Sequence, residues 1–439
     1  MGARLSRIRK VSVAVLSWNG RHHLETCLEA LAAQRDPGVD WEVLVLDNGS
    51  TDGTAAWLRE RWGRDRRVRL VESPVNLGFC AGNNRLAAES DADAVALLNN
   101  DTRPAPGWLG SLVECLATAP PDVAAVSGKI VDWTGERLDF GRGVMTFDGH
   151  AFQLDFRRPL ATARLPAAGE ELPFACGGNL LVRRSSFLAA GGFDESYFAY
   201  LEDVDLGWRL WSGGERIVFA PGAVVHHRSS ATSELLGLYN RGFLFERNAF
   251  LTAYKNYEAG LWERVLPAVM LTLTSRTQAL LEGNPGAEVL RVDPYSGHIA
   301  NTGQAPAAGI PPATTWEGLR IRWRGYGPRE FLRRGLRKLG IGAAPMSSGS
   351  PQITDERTIA QLRALHWLLG NLDNAAAARA AVQRRRKRSD REIFARFPLY
   401  LVPTYPGDQA LFARPGFQAW LPDDLPIIKA TLEEVMEMG

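Results

Sequence analysis

The chain has 439 residues, of which 45% are hydrophobic and 23% charged, with a formal net charge of +2. It can bury a large core and is expected to hold two or three structural units. Four scattered cysteines, Cys27, Cys80, Cys115 and Cys176, lack C-x-x-C spacing, so they read as reduced, buried thiols of a cytoplasmic protein rather than as a zinc site or disulfide framework. The basic residues 1–10 lead into a strand and not into a signal-peptide core. The longest apolar run, residues 265–273, falls well short of the roughly twenty needed to span a bilayer. The protein is therefore expected to be soluble, or attached at most to a membrane surface.

Residues 11–17 are rich in β-branched side chains and are broken by Trp18, Asn19 and Gly20; residues 21–34 then carry Leu24, Cys27, Leu28 and Leu31 at helical spacing. A second unit repeats the plan, with a strand over 41–46, a loop over 47–52, and Ser50 or Thr51 capping a helix that runs to Trp62. A third strand over 68–71 leads through residues 76–79 into a helix over 81–89. The apolar run from Ala94 ends in Asn99, Asn100, Asp101 and Thr102, the pattern of a buried parallel strand whose carboxyl end opens into a crevice. This alternation predicts a mainly parallel α/β sheet with helices on both faces.

Three of these strands end in polar loops: Ser17-Trp18-Asn19, Asp47-Asn48-Gly49-Ser50 and Asn99-Asn100-Asp101. In a doubly wound sheet such ends converge on one edge, where nucleotides bind. Asp47 suits a pyrimidine ring or ribose, and Trp18 and Asn19 suit the lining of a base. Asp101 offers a hard oxygen ligand to a divalent cation that already holds phosphate. Each residue alone is also ordinary turn chemistry; their joint placement favours the pocket. No G-x-G-x-x-G follows the first strand, so a Rossmann dinucleotide site has no support.

A helix over 108–116 and a strand over 123–126 precede residues 129–173, which read as irregular antiparallel structure with a strand-like fragment at 143–147. Gly177 and Gly178 would let backbone approach a ligand closely. A short helix is expected over 184–190. Val204, Trp208 and Trp211 then mark a helix whose first turn carries Glu202, Asp203 and Asp205. The helix dipole favours acids there, yet three acids within four residues exceed what capping needs. Asp203 is the candidate base for removing a proton from a hydroxyl. After a strand over 216–219, residues 221–230 bring up His226 and His227. Side chains alternate there, so one of the two faces the site, where it can complete a metal shell.

The order Ser17-Trp-Asn19, Asp47-Asn-Gly-Ser-Thr-Asp52, Asn76-Leu-Gly-Phe79 with Asn83-Asn84, Asn99-Asn-Asp101, Gly191-Gly-Phe-Asp-Glu195, Glu202-Asp-Val-Asp-Leu206, Arg209 and His227 resembles the family-2 glycosyltransferases of GT-A fold. Glu246-Arg-Asn248 and Tyr254-Lys-Asn-Tyr257 add to a similarity with rhamnosyltransferase-like members that build bacterial surface polysaccharide. The resemblance spans about residues 10–257. It implies inverting transfer of a sugar from a UDP- or dTDP-sugar, dTDP-rhamnose included, to a hydroxyl of a glycan or lipid-linked acceptor. By motif, Asp101 would close a DxD-type element and ligate Mg2+ or Mn2+, offsetting charge on the diphosphate leaving group. Asp203 would be the base and Glu202 would orient the acceptor. His227 matches a metal or diphosphate histidine, with the register against His226 left open. Ser17, Trp18, Asn19, Asp47, Asn48, Ser50, Asn76, Gly78, Phe79, Asn83, Asn99 and Asn100 would form the donor side, and Gly177, Gly178 and Asn179 the acceptor-side loop. One departure is Asn99, which stands where a carboxylate is common.

Residues 1–257 thus read as the catalytic domain, 258–315 as a helix and a Gly/Pro-rich linker, and 316–439 as a basic, mainly helical C-terminal extension. Within the extension, residues 316–338 interleave arginines with apolar side chains, the pattern of a segment that lies on an anionic membrane or packs on the catalytic domain. The basic block 384–388 has no aromatic stacking module beside it, so nucleic acid is not expected as a partner. These features point to a cytoplasmic enzyme with peripheral contact at the inner membrane face. Two alternatives stand beside the transferase. A nucleotidyltransferase would need a Gly/Lys/Arg-rich phosphate loop after the first strand, which is missing, and a non-catalytic sugar- or membrane-binding module would be expected to lack Asp101, Glu202 and Asp203.

Overall fold

In the first four strands every second side chain belongs to one of two apolar layers. Val11, Val13 and Val15 pack with Leu24, Leu28 and Leu31 on one face, while Ala14, Leu44, Leu46, Val95 and Leu97 pack with Leu86, Trp208 and Trp211 on the other. That two-sided burial is what a run of apolar residues in a central parallel strand produces. The computed structural model describes residues 8–228, 238–281, 356–405 and 407–436.

The strands are β1 (Lys10–Ser17), β2 (Asp40–Asn48), β3 (Val68–Ser73), β4 (Ala94–Asn99), β5 (Thr102–Pro104), β6 (Val123–Asp132), β7 (Leu138–Phe140), β8 (Gly143–Met145), β9 (Ala151–Gln153), β10 (Asn179–Arg183), β11 (Arg216–His227), β12 (Leu399–Leu401) and β13 (Ile427–Lys429). Helices α1 (Arg21–Ala32), α2 (Thr54–Trp62), α3 (Gly78–Glu89), α4 (Trp108–Thr118), α5 (Arg184–Ala189), α6 (Glu202–Ser212), α7 (Leu238–Asn256) and α8 (Ala259–Leu281) cover the sheet and lead out of it. The main sheet runs β3-β2-β1-β4-β10-β6-β11-β5, with β7 on β6. Strands β3, β2, β1 and β4 are mutually parallel, as are β6 and β11; β10 enters antiparallel between β4 and β6, and β5 lies antiparallel on β11. The mixed, mainly parallel sheet with helices on both faces matches the sequence expectation.

Several boundaries differ from that expectation. Helix α2 starts at Thr54 behind a left-handed Gly53 and has no side-chain cap, because Ser50 is committed elsewhere and the Asp52 carboxylate accepts from the Thr54 N–H at 3.1 Å. Strand β6 continues to Asp132, and β11 runs through an irregularity between Ala220 and Val224 to His227. The 129–173 region does hold antiparallel fragments, namely β7 on β6 and the β8–β9 pair.

The described residues up to 279 and from 356 onward cluster as one compact unit. The C-terminal part comprises α9 (Glu356–Gly370), α10 (Leu372–Arg385), α11 (Asp390–Arg396), α12 (Asp408–Phe412), α13 (Pro415–Gln418) and α14 (Leu432–Val435), with β12 paired to β13. Its Phe394, Leu399, Leu401, Phe412 and Phe417 share the apolar layer of Trp208 and Trp211. In the basic block, Arg386 pairs with Asp390 at 3.0 Å and donates to the Asn256 carbonyl, while Arg388 donates to the Gly214 and Glu215 carbonyls at 2.8 and 2.7 Å. These two arginines therefore fasten the extension to the sheet domain, and Arg384, Arg385 and Lys387 remain exposed. The expected linker over 283–315 and the basic segment 316–338 lie outside the described residues. Among the described residues no helix is long and apolar enough to cross a membrane.

Candidate active site

Strands β1, β2 and β4 end level with one another: Ser17 registers with Asp47, and Leu16 with both Leu46 and Asn99. Their polar ends then bind each other. The Asn19 N–H donates to Ser50 Oγ at 2.9 Å, the Thr51 N–H to Asn19 Oδ1 at 2.8 Å, and the Ser50 N–H to Asp47 Oδ1 at 3.3 Å. Asn100 Nδ2 donates to Ser17 Oγ at 3.0 Å. Asn48 reaches the next loop, donating to Asn76 Oδ1 at 2.9 Å and accepting from the Leu77 N–H at 3.0 Å. Gly78, at φ +81°, passes so close to the Phe198 ring that a Cβ would stand 2.5 Å from it.

These loops border a cavity of about 640 Å³. Of the expected donor-side residues, Trp18, Asn48, Asn76, Gly78, Phe79, Asn99 and Asn100 line it. Ser17, Asn19, Asp47 and Ser50 do not line it; they hold the loops together. Asn83 is buried on α3, where its amide donates to the Phe79 carbonyl at 2.9 Å.

Asp101 and His227 meet on the cavity wall because β11 pairs with β5, placing His227 opposite Thr102. His227 Nε2 lies 3.4 Å from Asp101 Oδ1, and its Nδ1 lies 2.7 Å from Asp139 Oδ2. Burial disfavours the imidazolium, but the two carboxylates outweigh burial and raise His227 to about 10. Burial likewise works against the Asp101 carboxylate, and His227 outweighs it, so Asp101 stays below its ordinary value. His226 takes the opposite face of β11, with its ring against Gly135, so of the two only His227 lines the cavity.

A carboxylate oxygen and an imidazole nitrogen facing a cavity, with the second imidazole nitrogen held by another carboxylate, form a donor set suited to a divalent cation. Among the described residues no group of three or more His, Cys, Asp or Glu could hold a metal by itself. The two residues fit a cation that takes its remaining ligands from a bound phosphate and water.

The acids arrive from the other side. Three non-glycine residues with positive φ, Phe198 at +64°, Tyr200 at +71° and Leu201 at +62°, lead into α6. Conformations of this kind persist only where surrounding structure imposes them. Here Asn248 Nδ2 donates to the Tyr197, Ala199 and Tyr200 carbonyls at 3.2, 2.8 and 2.7 Å, and Arg247 Nη2 donates to Tyr197 at 2.7 Å. The Phe79 N–H reaches the Phe198 carbonyl at 2.8 Å.

Glu202 and Asp203 line the cavity, whereas Asp205 turns inward to Arg209, Lys255 and Asn256 at 2.9, 3.1 and 2.9 Å. Asp203 accepts from the Val204 N–H at 2.8 Å and the Gly177 N–H at 3.1 Å. Burial raises both cavity acids; the two amide donors hold Asp203 back, while Glu202 also feels the Asp203 charge and has a buried Oε2 with no partner. Of the two, Glu202 is pushed up the further, so Asp203 gives up its proton the more readily.

Gly177 and Gly178 line the cavity; a Cβ on Gly178 would stand 2.8 Å from Asn99 Nδ2. Asn179 lies outside it, fully buried, accepting from Trp108 Nε1 at 2.7 Å and donating to the Lys129 and Ala223 carbonyls at 3.1 and 3.2 Å.

Sequence reasoning passed over Asp139, Cys176, Phe152, Phe156, Phe245 and Met436, all of which line the cavity. The one local signal was Asp139 itself, an acid between Leu138 and Phe140.

The sequence model of the family described as Glycosyl transferase family 2 matches residues 12–189. An N-acetylglucosaminyl-diphospho-decaprenol L-rhamnosyltransferase of Mycobacterium tuberculosis is 34% identical over 244 residues, covering 50% of this chain and 76% of the relative. The O-antigen biosynthesis protein RfbC of Myxococcus xanthus is 32% identical over 235 residues, 51% of this chain and 18% of that protein. The crystal structure of GalNAc-T7 with UDP, GalNAc and Mn2+ is 12% identical at a TM-score of 0.46, and the alignment covers 61% of this chain and 52% of that one. On its identity to the rhamnosyltransferase and the span of that match, this chain is a glycosyltransferase that belongs to family 2.

Proposed function

We propose that the chain transfers a hexosyl or deoxyhexosyl group, rhamnosyl included, from a UDP- or dTDP-sugar to a hydroxyl of a glycan or lipid-linked acceptor, with inversion, in surface polysaccharide synthesis. The observation that carries this reading is one cavity with the Asp101–His227 pair and the Asp203 carboxylate on its walls, at the carboxyl ends of β1, β2 and β4. The amide-rich loops of Asn48, Asn76, Asn99 and Asn100 bind the nucleoside and ribose. Asp101 and His227 would hold Mg2+ or Mn2+, which when bound supplies positive charge to the diphosphate leaving group.

Asp203 takes the proton of the acceptor hydroxyl. The oxygen bonds to the anomeric carbon as the bond to the nucleoside diphosphate breaks, and that group leaves with the electron pair. Glu202, whose carboxyl is pushed well up by burial and by the neighbouring Asp203, orients the acceptor. The M. tuberculosis relative is named for a decaprenol-linked acceptor carrying N-acetylglucosamine, which supports a lipid-linked acceptor here.

A thermal-shift panel of UDP-, dTDP- and GDP-sugars, each with and without Mn2+ or Mg2+, tests the reading. A nucleotide that binds only the folded chain adds about 2.7 kcal/mol at a hundredfold excess over its Kd. A metal-dependent shift with one nucleotide is the expected result and names the base. No shift with any of them removes the donor site as assigned.

A further inference from the structure

We propose that the segment 431–436, far outside the family match, builds a wall of the acceptor half of the cavity and makes that half select an acceptor whose body beside the reacting hydroxyl is apolar. This rests on the reading of the cavity as a sugar-transfer site and goes beyond it by assigning a specificity role to the C-terminal extension.

The segment is firmly placed. Thr431 and Glu434 form a reciprocal capping box that starts α14, and Val435 is buried at its end. The Asp155 N–H donates to the Val435 carbonyl at 2.7 Å, Arg158 Nη2 donates to the Glu433 carbonyl at 3.2 Å, and Phe156 and Met436 form a parallel bridge. Asp155, fully buried and bound to Arg164 at 2.7 and 2.9 Å, fixes the turn on which Phe156 sits. The Met436 side chain is thereby delivered to the cavity wall, which it shares with Phe152, Phe156, Tyr200 and Phe245.

These side chains keep apolar surface open. Tyr200 and Phe245 stack with ring centroids 4.6 Å apart, and Phe245 is 38% exposed. Phe152, Phe156 and Met436 are each only half-buried. The donor side sets four amides, those of Asn48, Asn76, Asn99 and Asn100, beside Trp18 and Phe79, whereas the patch of Phe152, Phe156, Tyr200, Phe245 and Met436 contains none. Tyr200 directly precedes the Leu201-Glu202-Asp203 turn, which puts the aromatic portion on the side of the base, where the acceptor hydroxyl must lie. A hydrophilic glycan would leave this surface wet, whereas an alkyl, prenyl or aromatic group attached to the acceptor sugar would cover it.

The test uses the full chain and two probes, octyl and methyl N-acetyl-β-D-glucosaminide below micellar concentration, titrated calorimetrically. Each buried methylene adds roughly fourfold in affinity, so partial burial of the octyl chain should favour it by at least about tenfold. Met436→Glu should cut that preference to below about threefold, Met436→Ser should narrow it less, and Met436→Leu should keep it. Equal binding of the two glycosides, no binding of the octyl glycoside, or a preference unchanged in both Met436→Glu and Met436→Ser overturns the proposal. Nucleotide affinity, measured in parallel, separates the readings: loss of all nucleotide binding by the wild-type chain counts against the transferase site, while octyl selectivity reports on the wall.

Discussion

Asp139 stands behind His227, joined to its Nδ1 at 2.7 Å, and so fixes which imidazole nitrogen faces Asp101. A partner of this kind typically carries a factor of about 10–100 in metal affinity. Asp139→Asn keeps the shape and loses the charge; it should weaken Mn2+ binding in the presence of nucleotide by about that factor, read by electron paramagnetic resonance titration. Unchanged Mn2+ affinity would remove Asp139 from this role. Asp203→Asn should lower kcat by about 10²–10⁴ and leave nucleotide affinity within about twofold, because the base acts on the acceptor. A variant that turns over normally would disqualify Asp203. Asp101 and Asp203 were legible in the sequence as cavity residues because each sits at an element's end, where polar residues interrupt an apolar pattern; which of His226 and His227 faces the cavity was left open there. Asp139 was not legible, since its place depends on β7 pairing with β6 and on β11 reaching as far as His227. Asn179 misled for a related reason: its neighbours Gly177 and Gly178 face the cavity, while strand alternation turns Asn179 to Trp108.

At the level of elements, the approach to α6 is the segment whose geometry depends most on another part of the chain. Residues 198–201 carry three unfavourable φ values, and a single buried amide, that of Asn248 on α7, donates to three carbonyls of the 197–200 turn. Asn248→Ala should take this donor from the Ala199 and Tyr200 carbonyls, while Arg247 still serves that of Tyr197, costing about 1–3 kcal/mol. Because the same turn aims Glu202 and Asp203, kcat should fall more than nucleotide affinity. A variant with an unchanged melting temperature and unchanged kcat would show that the turn holds its shape without α7. Apolar periodicity found the parallel strands and their helices, since burial on two faces writes itself into consecutive residues. It missed β5 and the second half of β11, whose pairing is long-range and whose residues 221–228 mix Pro, Gly and His with valines. The α2 start was missed by a few residues because Ser50 served the Asn19 backbone and left Asp52 to meet the helix.

Across the whole molecule, residues 393–412 of the extension, which show no assignable chemistry in the sequence, prove to be tied to the sheet domain by a buried ionic cluster. Arg276 of α8 reaches Asp148 at 3.2 Å and Asp408 at 3.2 Å, and Tyr405 donates to Glu246 at 3.1 Å. His150 stands 3.2 Å from Asp148 and 3.7 Å from Glu246. No local pattern announces a cluster assembled from four separate stretches, which is why the sequence reading of the extension did not include it. Burial alone would lower the His150 pKa, but the two carboxylates outweigh burial and raise it to about 9, while Asp148 is held well below the ordinary carboxylate range. A histidine raised on folding contributes stability that is complete below its unfolded value near 6.5 and is lost as pH rises through about 9. Asp148 contributes in the opposite sense, fully above its unfolded value near 3.9 and less as pH falls. The cluster is therefore strongest between about pH 4 and 6.5, and its alkaline arm is worth on the order of 3 kcal/mol. The melting temperature of the wild-type chain should fall from pH 6.5 to 9.5 more steeply than that of His150→Gln, which lacks the titrating ring. Parallel pH profiles for the two proteins would show that His150 titrates without affecting the fold, and the cluster would then be a contact between the two parts rather than a source of their stability.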